Sequence, residues 1–183
     1  MNKEFDQEVF KEMILYISER CQDKPHFDTA RLEKILHYSD FFWYGHTGTS
    51  ISSETYVRRQ HGPTPKHLEE TLDKLVGDGF LEIVKKPRVD YMQKKPVLKK
   101  SFAPNKLSKE QAEFIDTVIV DLVDLAIARE DIFGQYLSNG EEIPYETVFF
   151  RRRKTLSPNE IDEAQDFIGR YEKRRFFAQP SAI

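Results

Sequence analysis

The stretch VRRQHGPTPKHLEETLDKLVGDGFLEIV, Val57 to Val84, decides how the middle of this chain folds. It places two of the chain's nine prolines, with a glycine, directly ahead of an amphipathic run. Gly62 permits backbone angles that other residues resist, and Pro63 pushes Gly62 away from helical geometry. Thr64 is a good N-cap, and Pro65 suits the first helical position, where its missing N–H costs nothing. The reading is a rigid bend, then a helix from Pro65 that buries Leu68, Leu72, Leu75 and Val76 on one stripe. Asp78-Gly79 ends that helix, and Phe80 to Val84 alternates as a short strand.

Upstream, Phe5, Val9, Met13, Ile14 and Ile17 recur at helical spacing, which predicts an amphipathic helix over about residues 3–22. Pro25 cannot continue it, and Asp28 is placed to cap the next helix. Leu32, Ile35, Leu36 and Ser39 mark one face of that second helix, which runs into the aromatic cluster Phe41, Phe42, Trp43 and Tyr44. Ser52–Tyr56 reads as one more helical turn or as the lead-in to a strand.

Downstream the composition changes. Between Lys85 and Lys106 eight basic residues (Lys85, Lys86, Arg88, Lys94, Lys95, Lys99, Lys100 and Lys106) face one acid, Asp90. Prolines at 87, 96 and 104 exclude a helix, so the segment reads as a basic β-hairpin or extended arm; the alternative is a loop kept solvated by its lysines. Ser108 with Gln111 forms a capping box, opening a long helix whose Phe114, Ile115, Val118, Ile119, Leu122, Val123 and Ala126 cover a wide apolar face. A shorter helix is expected over about 129–137. Ser157, Pro158 and Glu160 open a last one carrying Ile161, Ala164, Phe167, Ile168 and Tyr171.

The fold class is therefore mainly α (α+β): a compact helical domain of about six helices with a small β-hairpin. Residues 1–178 read as one domain, with 85–106 as its basic arm and 179–183 as a flexible tail. At 183 residues, 39% hydrophobic and 32% charged, the chain suits a globular domain with a sizeable core. Fourteen Phe and eight Tyr against three Met make that core, or an interface, aromatic. A formal net charge of −3 argues against nucleic-acid binding through bulk charge alone. Cys21 is the single cysteine, so no internal disulfide forms; it reads as a semi-exposed bystander in a reducing cytosol. The N-terminus mixes acids with apolar residues and is no signal peptide, and no apolar run approaches the length needed to cross a bilayer.

Candidate chemistry is sparse. His26, His37, His46, His61 and His67 show no metal-ligand spacing, and a lone cysteine makes no Cys/His zinc site. His37 and Asp40 are three apart on a helix, the geometry of a base and its orienter, but no nucleophile is placed by sequence to receive them. Gly45-His46-Thr47-Gly48 has the wrong flanks for a phosphate-cradling loop. No cofactor and no catalytic residue is assigned. The helix–turn–strand–basic-arm order from Thr64 also suggests a winged-helix DNA-binding regulator, although Glu69, Glu70 and Asp73 on the would-be recognition helix disfavour approach to phosphates.

One resemblance covers Leu32 to Ile83. Tyr38 and Asp40, the aromatics Phe41 to Tyr44, Gly48, Ser50, the Thr55-Tyr56 pair, then Gly62, Pro63 and Pro65 follow the pattern of the Panacea domain, also called the SocA-like antitoxin domain of bacteria and phages. Ile143-Pro144-Tyr145 is similar to the family's C-terminal Ile-Pro-Tyr. The resemblance implies a mostly helical, non-enzymatic, cytoplasmic antitoxin module, of prophage origin in some cases. Its partner would be a cognate protein toxin, which some members hand to a protease such as an AAA+ enzyme of the ClpXP type. Val57 to Pro63 departs from a commoner hydrophobic-Pro-Tyr-Gly-Pro pattern, and no additional N-terminal DNA-binding domain is expected. On this reading Tyr38, Asp40, Tyr56, Gly62, Pro63 and Pro65 organise the fold. Arg58, Arg59, Gln60, His61, Lys66 and Trp43 are the expected partner contacts, since aromatics and arginines dominate interface energetics.

Overall fold

A computed structural model of the chain describes residues 4–60, 62–89, 91–124 and 137–149. The chain divides into two units, Met1–Phe149 and Phe150–Ile183, and the second lies outside the described residues. Within the first unit the order is α1 (Gln7–Cys21), α2 (Thr29–Thr47), β1 (Tyr56–Arg59), β2 (Gly62–Pro65), α3 (Leu68–Gly77), β3 (Leu81–Pro87), β4 (Met92–Leu98) and α4 (Lys109–Ile119). A π-helical segment, Val120–Asp124, extends α4, and a 3-10 turn spans Tyr145–Phe149.

This corrects the expected architecture. The described residues hold four α-helices, not about six, and two separate two-stranded antiparallel sheets in place of one hairpin. The mixed α+β class stands. The helices expected over 129–137 and from Ser157 lie at least largely outside the described residues, as do Ala126 and the tail.

The extra sheet comes from the quoted stretch. Gly62–Pro65 is a strand, not a helix start: Tyr56 faces Pro65, Val57 faces Thr64, Arg58 faces Pro63 and Arg59 faces Gly62. Lys66 N–H donates to Thr55 O at 2.9 Å. Antiparallel pairs alternate between bonded and non-bonded positions, so both prolines fall at non-bonded positions where no N–H is required. Gly62, at φ +118°, occupies a backbone angle that a side chain would strain. Thr64 does not cap α3. Its Oγ1 donates to Glu33 Oε2 at 3.3 Å, and α3 starts three residues after Pro65 with His67 at its N-cap. The buried stripe of α3 is Leu68, Thr71, Leu72 and Leu75, while Val76 is exposed.

α1, α2 and α4 pack around one core in which Phe10, Met13, Ile14, Ile17, Leu32, Ile35, Leu36, Phe41 and Ile115 are essentially inaccessible. Burying each such side chain contributes about 1.5–3 kcal/mol relative to exposure. Cys21, expected to be semi-exposed, is fully buried. The caps form as their sequences require. Asp6 and Asp28 accept from Val9 N–H and Arg31 N–H, and Ser108 with Gln111 makes both bonds of the capping box. Glu12, although on an otherwise buried face, is satisfied by the backbone N–H groups of Asn105, Lys106 and Leu107 at 2.8–3.1 Å. That cluster pins the segment leading into α4 onto α1.

The basic arm is a regular hairpin, with Leu81 facing Leu98 through to Pro87 facing Met92. It is fastened along the α1–α2 loop. Leu98 N–H donates to Gln22 Oε1 (3.0 Å), Lys95 Nζ to Lys24 O (2.9 Å) and Gln93 Nε2 to Phe27 O (3.3 Å).

Candidate functional site

The residues singled out by the sequence pattern converge on one carboxylate. α2 carries Asp40 to the inner end of the β1–β2 hairpin, where it is completely buried. Oδ1 accepts from the backbone N–H groups of Ile51 and Ser52, both at 2.9 Å. Oδ2 accepts from Ser52 Oγ at 2.6 Å and from Tyr56 O–H at 2.8 Å. Burial pushes the carboxyl's pKa up, and these four donors pull it back down. A buried carboxylate is tolerable only with such saturation. Here it fastens the loop after α2 and the first residue of β1 to one point.

A second buried acid continues the arrangement. Glu54 accepts from Thr55 N–H at 2.6 Å and lies 2.8 Å from His67 Nδ1, so it joins the start of β1 to the N-cap of α3. Burial raises its pKa, opposed first by the His67 bond. Phe5 stacks on the His67 ring at 4.4 Å, drawing the N-terminal segment into the same cluster. The Ile-Pro-Tyr segment closes the other side. Ile143 N–H donates to Tyr56 O at 2.7 Å, and Arg58 N–H donates to Glu141 O at 2.8 Å. Tyr145 stacks on Phe41 at 4.5 Å and donates to Glu54 O at 2.7 Å. Its phenol is held strongly in the neutral form by burial.

His37 sits in the aromatic layer above Asp40, with ring centroids 4.3 Å from Phe41 and 5.3 Å from Tyr56. Burial pushes its pKa down to about 3, so the imidazole is neutral at physiological pH. With His37 at 3% exposure and Asp40 and Tyr56 at 0%, these three groups are covered by protein. Among the described residues no group of three or more His, Cys, Asp or Glu is arranged to hold a metal ion, and no helix is long and apolar enough to cross a membrane.

The expected contact residues separate by location. Arg59, Gln60 and Lys66 are exposed on or beside the β1–β2 hairpin, and Arg58 is half-buried at its middle. Lys66 Nζ pairs with Glu142 at 3.4 Å. Trp43 stands apart, packed edge-on against Phe114 at 5.4 Å and only 9% exposed. His61 lies outside the described residues. Of the fold-organising set, Tyr56, Gly62 and Pro65 are buried with Asp40, Pro63 is half-buried, and Tyr38 lies half-buried, stacked on Phe42 at 5.2 Å. Sequence reasoning missed Glu54, Ser52 and His67. The only available signal was a run of polar residues next to the Thr-Tyr pair, which reads equally as a surface turn.

The model of the antitoxin SocA-like, Panacea domain matches residues 32–129, more than half of the chain, and takes in the Asp40 hub, both hairpins and α4. No curated protein and no solved structure matches. The chain belongs to the SocA-like antitoxin family, defined by the Panacea domain.

Proposed function

We propose that this chain is the antitoxin of a toxin–antitoxin pair, acting in the cytoplasm by binding and neutralising a cognate protein toxin without catalysis of its own. The contact surface is the β1–β2 hairpin, with Arg58, Arg59 and Gln60 along its first strand and turn and Lys66 just beyond its second; His61 is a further contact proposed from the sequence alone. The observation that carries this reading is the hub beneath it. Asp40 takes four hydrogen bonds and Glu54 is tied to both Thr55 and His67, so the exposed Arg59, Gln60 and Lys66 project from a stiffened base. Surface arginines on a preorganised scaffold lose little freedom on binding, which favours affinity. Trp43, 9% exposed and packed on Phe114, is a further proposed contact that stands apart from this hairpin. Delivery of the bound toxin to an AAA+ protease of the ClpXP type belongs to the same proposal, as does a single domain spanning residues 1–178.

The test is co-expression with the toxic protein encoded beside it. Rescue of growth and co-purification are expected, and both weaken when Arg59 and Lys66 are changed to Glu in a chain with unchanged melting temperature. Loss of neither rescue nor co-purification in that double variant moves the interface elsewhere. Absence of both with the unaltered chain overturns the antitoxin reading. A winged-helix DNA-binding role draws on a separate feature, the passage of α3 directly into the basic β3–β4 hairpin. Against it, Glu69, Glu70 and Asp73 are all exposed on α3. Salt-dependent, sequence-selective gel shifts by the chain alone are the result that favours it.

A further inference from the structure

A cleft of about 270 Å³ opens where the start of α2 meets the turn of the β3–β4 hairpin. Four basic side chains line it, His26, Arg31, Lys34 and Arg88, with one carboxylate, Asp28, and the ring of Tyr91. Asp28 Oδ1 caps the Arg31 N–H at 2.9 Å, which orients the carboxylate and leaves its charge in place. Among the described residues, Arg31, Lys34 and Arg88 form no ion pair with a carboxylate.

The two guanidinium groups are nevertheless held in place. Arg31 Nη1 donates to Leu122 O at 2.8 Å. Arg88 donates through Nε to Gln93 Oε1 at 3.0 Å and through Nη2 to Pro25 O at 3.3 Å. Gln93 is buried and anchored in turn by its own bond to Phe27 O at 3.3 Å. Every one of these acceptors is a neutral oxygen, which fixes the geometry of a cation without cancelling its charge. A guanidinium has five N–H donors, so these bonds leave donors on each arginine for a ligand.

Among the described residues three positioned cations, Arg31, Lys34 and Arg88, face one carboxylate, Asp28, around the cleft; that excess selects an anion, and a guanidinium fork matches a phosphate group. The volume lies just below the roughly 300 Å³ at which small-molecule pockets begin, and so suits a compact organic ligand. Tyr91, 58% exposed, offers an aromatic face of the kind on which nucleobases stack. We infer that this cleft is a mononucleotide site, with the phosphates on Arg31, Lys34 and Arg88 and the base against Tyr91. The inference goes beyond toxin binding and does not depend on it.

Isothermal titration calorimetry of the full chain with ATP, AMP, inorganic tripolyphosphate and a short single-stranded oligonucleotide tests the assignment. Lys34→Glu and Tyr91→Ala are suitable variants, because both side chains are exposed and Lys34 makes no hydrogen bond among the described residues. ATP is expected to bind, and each substitution to weaken it about tenfold, with melting temperature in the absence of ligand unchanged. Tripolyphosphate is expected to bind more weakly and to be insensitive to Tyr91→Ala. The inference is overturned by any of three results: no ATP binding at up to about 1 mM, ATP affinity unchanged in either variant, or binding of the oligonucleotide alone.

Discussion

Replacing Asp40 with Asn tests whether one buried carboxylate organises the region around the β1–β2 hairpin. The substitution keeps size and shape. Its amide oxygen can retain the two backbone bonds from Ile51 and Ser52 at 2.9 Å. Its NH2 group then stands where Oδ2 accepted the hydroxyls of Ser52 (2.6 Å) and Tyr56 (2.8 Å), so donor meets donor unless those hydroxyls turn. Hydrogen bonds to a charged group contribute about 1.5–3 kcal/mol each. Two are lost, and part of the loss is offset because a neutral amide escapes the burial penalty that raises the Asp40 pKa. The expected net destabilisation is about 2–4 kcal/mol. For a chain of this size that corresponds to a fall in melting temperature of about 5–15 °C. Tyr56→Phe removes one of the same bonds and should cost about 1.5–3 kcal/mol. In the double variant the two effects should fail to add by about 1 kcal/mol or more, because they share a bond. Urea or thermal unfolding followed by circular dichroism measures all three. An Asp40→Asn protein within about 0.5 kcal/mol of the parent, or strict additivity with Tyr56→Phe, refutes the hub.

Two further outcomes follow from the same region. His37 is held neutral in the fold, pushed down to about 3 from an ordinary 6.5, so below pH 6.5 the unfolded chain takes up a proton that the folded one does not. Its contribution to stability is complete above that pH and is lost as pH falls toward 3, about 2 kcal/mol by pH 5. Asp40 and Glu54, raised by burial, act in the opposite direction, so the measurement is the difference between parent and His37→Phe across pH 5–7; a difference independent of pH refutes it. Gly62→Ala forces a methyl-bearing residue to φ +118°, and a loss of about 1–3 kcal/mol in unfolding free energy is expected; an unchanged stability would show that the turn relaxes freely.

Much of the skeleton was legible in local pattern. The α1 and α2 faces, the Asp28 cap, the Ser108–Gln111 capping box and the pairing within the basic arm all follow from spacing over a few residues. The Gly62–Pro65 strand was not legible. Gly-Pro-Thr-Pro satisfies the rules for a helix start as well as it satisfies those for non-bonded strand positions. What decided between them was β1, which needs a partner for Val57 on one side while residues 140–143 occupy the other. Val76 was misplaced for a related reason. A stripe drawn at helical spacing does not say how wide the neighbouring surface is, and on α3 it ends at Leu75.

The candidate site divides the same way. Tyr38, Asp40, Tyr56, Gly62, Pro63, Pro65 and Tyr145 are marked by residue type and order, and that order alone carries the family. Glu54 and His67, 13 residues apart, and Arg31 and Arg88, 57 apart, acquire their roles only when the chain brings distant segments together. By itself the sequence determined which local elements are favoured and which residues form the motif, because caps, turns and periodicity act over one or two turns of backbone. Tertiary structure alone decided which strand Gly62–Pro65 becomes, which acids are buried and saturated, and which cations gather around a cleft. Burial and charge compensation depend on neighbours in space, and those are set by packing over the whole unit.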